Sequence, residues 1–164
     1  MKRLLTILAA AMAMAVSGCG VAPTGVDDDG AAPTGIASGP TLYFVDAAGR
    51  LAPQPRAVGR LGTISDALSL LLAGPGGSEL TTQIDEVDVT RVQVTVRDDV
   101  IVARLPIAQD QATALGVDQI VCTAIAVHVQ SGGSTRAQVR PVFTISDPGA
   151  DALRRCPLIP GPAG

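Results

Sequence analysis

The chain has 164 residues, 47% of them hydrophobic but only 2% aromatic, with 12 basic and 15 acidic side chains. A leader carrying Lys2 and Arg3 accounts for two of the basic residues, which leaves ten arginines against fifteen carboxylates, a net charge of −5. An acidic chain without clustered positive charge excludes a nucleic-acid surface and a polybasic grip on anionic lipid, and its Ala, Val, Leu and Ile core has to rely on close packing of small aliphatic groups.

Residues 1–18 read as a signal peptide. Lys2 and Arg3 form a positive n-region, and Leu4 to Val16 an apolar stretch of 13 residues. A membrane-spanning helix needs about 20 apolar residues, so this stretch fits a leader instead. Val16-Ser17-Gly18-Cys19 resembles the bacterial lipobox: an aliphatic residue, two small residues, then cysteine. That resemblance implies diacylglycerol on Cys19, cleavage before it, and N-acylation, with palmitate among the usual acyl groups. Two or more acyl chains give stable anchoring where one does not. The expected address is the outer face of a cell membrane. An ordinary signal peptide with an incidental cysteine, or an apolar N-terminal helix, are the alternatives.

Residues 19–40 continue from Cys19 into a Gly-, Pro-, Ala-, Thr- and Asp-rich stretch without hydrophobic period, which reads as a disordered linker. Its root-mean-square reach is about 25 Å. Ala-Pro-Thr-Gly occurs twice, at 22–25 and 32–35, as low complexity. Asp27-Asp28-Asp29 lacks the spacing of a calcium loop and reads as a solvated charge run.

The folded domain is expected over 41–145, followed by a tail over 146–164. Thr41 to Asp46 has the aromatic and β-branched content of a strand, closed by an Ala48-Gly49 turn. Leu51 to Arg56 is extended, and Pro53 and Pro55 place it at a sheet edge or outside the sheet. A helix follows, with Thr63 as cap, Asp66 near its positive end, and Ile64, Ala67, Leu68, Leu71 and Leu72 on one face. Gly74-Pro75-Gly76-Gly77 stops it.

Val87 to Leu105 reads as a β-hairpin turning at Arg97-Asp98-Asp99, with a frame shift near Thr90-Arg91. Pro106 ends the return strand. A second helix is expected over 109–130, with Val117, Ile120, Val121, Ala124, Ile125 and His128 on one face, and with Gly116 as a kink or as the true start. Alternation of Ala137, Val139, Pro141, Phe143 and Ile145 gives a final strand. The expected fold class is α+β: a small, mostly antiparallel sheet with two helices packed on one face.

These elements, in this order, resemble a GerMN domain as found in short actinobacterial lipoproteins. The resemblance is carried by Leu42-Tyr43-Phe44-Val45-Asp46, Gly49-Arg50-Leu51, Pro53-Gln54-Pro55-Arg56, Ala67 to Pro75, Gln119-Ile120-Val121-Cys122-Thr123 and Cys156-Pro157. It covers nearly the whole domain. It implies a module of envelope assemblies, found in proteins linked to sporulation and germination and in lipoproteins that work beside a sensor kinase. It supplies no catalytic motif.

With Cys19 committed to lipid, Cys122 and Cys156 remain in an oxidising compartment, where a disulfide would pin the tail onto the second helix. Two separate thiols are the alternative. His128, the one histidine, has no second histidine to complete a zinc set, so a partly buried or capping role is expected. No Ser- or Cys-based nucleophile constellation is visible. Gly74 to Gly77 follows a helix, whereas a phosphate cradle precedes one. Asp98-Asp99 and the cluster Asp85, Glu86, Asp88 read as solvated loops.

The expected function is therefore a non-enzymatic, lipid-anchored envelope protein, held to the membrane by its N-terminal lipid and working with an envelope protein partner, without cofactor, metal or nucleic acid. A small-ligand or cell-wall binding lipoprotein is the alternative, for which Tyr43 and Phe44 are nearly the only stacking residues.

Overall fold

A computed structural model describes residues 39–159. The signal peptide, the lipobox residues Val16, Ser17, Gly18 and Cys19, and the linker up to residue 38 lie outside the described residues, as do residues 160–164.

Strand β1 (Thr41–Val45) pairs antiparallel with β2 (Leu51–Pro55), Thr41 facing Pro55 and Val45 facing Leu51. The connection is built on Asp46, whose Oδ1 accepts the N–H groups of Ala48 and Arg50, and on Gly49, which takes φ 74°. Asp46 N–H donates to the Arg50 carbonyl, and Arg56 N–H to the Pro40 carbonyl. Bonded pairs alternate in an antiparallel ladder, so the even-numbered residues of β1 bond to β2 and the odd-numbered ones present their backbone outward. Pro53 and Pro55 fall opposite Tyr43 and Thr41, at unbonded positions where a missing N–H costs no ladder bond. The sequence expectation of an edge segment holds.

Helix α1 (Ile64–Leu72) starts with the expected capping box: Asp66 N–H donates to Thr63 Oγ1, and Thr63 N–H donates to Asp66 Oδ2. Gly74, at φ 89°, donates its N–H to the Leu71 carbonyl and ends the helix. Ile64, Ala67, Leu68, Leu71 and Leu72 form the buried face.

The hairpin is shorter than expected. β3 (Gln93–Arg97) and β4 (Val100–Arg104) pair antiparallel around Asp98-Asp99, with Asp98 at φ 51°. Val87 to Val92 lie outside it, because the backbone there has other partners. Ile84 bridges Ala112 instead, Ser65 Oγ donates to the Val92 carbonyl, and Val92 N–H donates to Ser69 Oγ at 3.5 Å.

The second helix also starts later than residue 109. Gln109–Gln111 form one 3-10 turn, and α2 runs over Ala114–Gln130 with Thr113 as its cap. The intervening backbone is claimed by the segment ahead of β3: Asp85 N–H donates to the Gln111 carbonyl, and Thr113 N–H to the Gln83 carbonyl. Gly116 sits in the first turn of α2. A Cβ there would stand 2.3 Å from the Gln83 carbonyl oxygen, so only glycine admits this approach.

Strand β5 (Gln138–Val142) pairs parallel with β4, and α2 lies on the crossover between them. The described residues are thus α+β with two α-helices and a mostly antiparallel strand set, divided between two small sheets, β1-β2 and β3-β4-β5, where the sequence pattern suggested a single one. α1 packs on β1 and β3, and α2 on β1 and β5, so the helix pair joins the sheets. Phe44, Leu42, Leu68, Leu71, Ile101, Ile120 and Ile125 are fully buried at this junction.

Candidate functional site

Polar side chains of the described residues gather in two constellations. The first surrounds Tyr43. Its N–H donates to Thr123 Oγ1 at 2.9 Å, and its carbonyl accepts from Gln119 Nε2 at 3.0 Å. Gln119 Oε1 accepts the N–H of Gln83 at 2.8 Å. Gln119 and Thr123 lie one turn apart on α2 and are both fully buried. Thr41 N–H donates to Gln130 Oε1, and Val45 exchanges both backbone bonds with Thr81. The outward edge of β1 is therefore closed at Thr41, Tyr43 and Val45. Nothing local signals a buried amide, since its partners lie 76 and 36 residues away.

The second constellation clamps the end of α1. Arg56 Nη2 donates to the Gly74 carbonyl at 2.6 Å, and Gln54 Nε2 reaches the Pro75 carbonyl at 3.4 Å. The Arg56 guanidinium also stands 5.7 Å from the centre of the Phe44 ring. Both constellations are structural: each polar atom named serves a backbone group of this chain, and none is presented to solvent as a reactive group.

Cys122 and Cys156 are bonded, as the cysteine count suggested, and both sulfurs are in the core. The bond holds the residues after β5 against α2, and Arg154 exchanges both backbone bonds with Val139 on the outward side of β5. His128 is half-buried at the end of α2 with its ring against Gly133. Asp98 and Asp99 are exposed at the hairpin tip, and Asp85 and Glu86 flank a shallow notch beside Leu72 and Ile84. Among the described residues no group of three His, Cys, Asp or Glu side chains is placed to hold a metal ion. No described helix is long and apolar enough to cross a membrane.

Titration behaviour follows surroundings. A backbone N–H from Arg50, with its guanidinium beside it, holds Asp46 below the ordinary carboxylate range. The Thr63 N–H does the same for Asp66. Burial pushes Asp118 up, opposed by the charge of Arg154, and burial raises the Tyr43 phenol.

An open notch of about 430 Å³ lies between α1 and the segment before it, lined by Val58, Leu61, Leu70 and Ala73 together with Arg60 and Asp66. Tyr43 and Phe44, the rings a stacking site would use, are in the core. No protein-family model matches this chain, and neither a curated protein nor a solved structure shows detectable similarity to it.

Proposed function

We propose that this chain is a non-enzymatic, lipid-anchored cell-envelope protein whose folded part is a GerMN-like interaction and assembly module. The observation that carries the reading is the sequence Val16-Ser17-Gly18-Cys19 behind a short apolar stretch with Lys2 and Arg3 ahead of it. A stable disulfide between Cys122 and Cys156 supports export, since such bonds persist in oxidising compartments. The described polar side chains at the two constellations hold backbone, which favours a binding body over a catalytic one. Envelope proteins are the partner class the family resemblance implies. The cell-wall or small-ligand alternative has less support, because a stacking ring is missing from the notch beside Val58 and Leu61.

Mass spectrometry of the protein extracted from membranes of its own host tests the anchor. The expected product begins at Cys19 and carries diacylglycerol and an N-acyl group, and Cys19→Ala abolishes both. An uncut leader, or a mature end without acyl groups, would overturn the reading.

A further inference from the structure

Every strand edge in the two sheets can be followed to a partner or a block, except one. The outward edge of β1 is closed by Gln119, Thr123, Gln130 and Thr81. The outward edge of β2 carries Pro53 and Pro55, which have no N–H to offer. On β5, Val139 bonds to Arg154, and the next outward position is Pro141. On β3, Ser65 and Ser69 close the edge at Val92. By the same parity Val94 and Val96 also turn their N–H and C=O groups away from β4, and no described residue meets them.

That open stretch lacks the usual protection of an edge strand: it has no proline, lysine or bulge. It also has an apolar side. Val94 and Val96 face Ala103 and Ile101 across the ladder, so they lie on the core face of the sheet. Ile101 is fully buried, yet Val96 is 43% exposed. Between Val94, Val96 and Ile64 lies a notch of about 350 Å³.

We propose that β3 is a self-association edge, along which two copies of the chain pair antiparallel about a two-fold axis at Thr95. In that register Val94 of each copy faces Val96 of the other and exchanges two backbone bonds with it, and Thr95 faces its own counterpart. Gln93 meets Arg97. The open length also matches: the partner strand ends at Arg97 and turns at Asp98, level with Val92, where Ser65 and Ser69 of α1 close the edge. The two valines of each copy cover those of the other. A second copy suits this edge better than an arbitrary extended peptide because the open length and the apolar positions are complementary to themselves.

The inference deepens the assembly-module reading by naming its partner, and it does not depend on the lipid. The test uses the full chain in its host membrane with Thr95→Cys. Thr95 is exposed and would sit in an unbonded cross-strand pair, where facing Cβ atoms are about 4.5–5.5 Å apart and a disulfide can close. The expected result is a reducible dimer on a non-reducing gel, several-fold above that of the unmodified chain and of Thr144→Cys. Adding Val96→Lys should remove it. If Thr95→Cys fails to accumulate, co-expressed Gln93→Cys and Arg97→Cys chains test the same register. A Thr95→Cys chain no more crosslinked than the controls overturns the proposal, and so does a crosslink to a different protein. The mass at Cys19 is read from the same preparation, so a lipid-bearing monomer would sink the pairing and leave the anchor standing.

Discussion

The outer edges of β1 and β3 begin with the same problem and end differently. Each is a five-residue strand bonded on one side only. β1 is closed because α2 carries an amide and a hydroxyl one turn apart on a buried face, and these bond to Tyr43 as a neighbouring strand would. β3 receives the same treatment from Ser65 and Ser69 of α1, but only at Val92. The helix begins only at Ile64, and the strand runs on past that end. A few side-chain polar atoms, correctly placed, decide whether a strand edge is interior or surface.

The comparison can be tested by breaking one edge and leaving the other alone. The largest expected effect is on the bond that keeps α2 and the C-terminal segment together. Replacing Cys122 and Cys156 by serine should cost about 3–4 kcal/mol, from closure of a loop with sequence separation 34, seen as a lower urea midpoint. Gln119→Leu follows. It keeps the volume but leaves the buried Tyr43 carbonyl and the part-buried Gln83 N–H without partners, at a cost of about 2–3 kcal/mol. Thr123→Val orphans only the Tyr43 N–H and should cost about 1–2 kcal/mol.

Thr63→Ala removes the α1 cap and should cost about 1 kcal/mol. The capping box also gives a pH signature. Asp66 has its carboxyl pKa depressed in the fold, so its contribution is present above the ordinary carboxylate pKa and is lost as pH falls through the depressed one. Acid titration of Asp66→Asn beside the unmodified chain should therefore show their difference shrinking below about pH 4. The smallest effect belongs to the open edge. Val96→Lys should stay within about 0.5 kcal/mol of the unmodified monomer in the same denaturant series. A Val96→Lys cost equal to that of Thr123→Val would erase the contrast between the edges.

What could be read from sequence was local. Thr63 with Asp66, the Gly74 stop, the Pro53 and Pro55 edge and the Asp98-Asp99 turn are settled by neighbours within a few residues, and the structure has them all. The cysteine pair was legible by elimination. The division into two sheets was not, because no short-range signal says whether β1 and β5 join. Val87 and Val89, and after a frame shift Val92, pass for strand, yet Ile84 and Ala112 take the bridging role, and Val89 stands exposed. The open edge at Val94 and Val96 was invisible for the same reason: it depends on where α1 begins relative to a strand some thirty residues further on.

The pairing at Pro40 sets how the molecule would respond to load. Tension on the segment ahead of Gly39 enters through β1, along the strand axis. The bonds from Arg56 to Pro40, from Thr41 to Gln130 and from Tyr43 to Thr123 and Gln119 lie across that direction. Loaded along the strand, these bonds would be sheared together and would not open one by one, which would make β1 the part of the fold that resists such a pull.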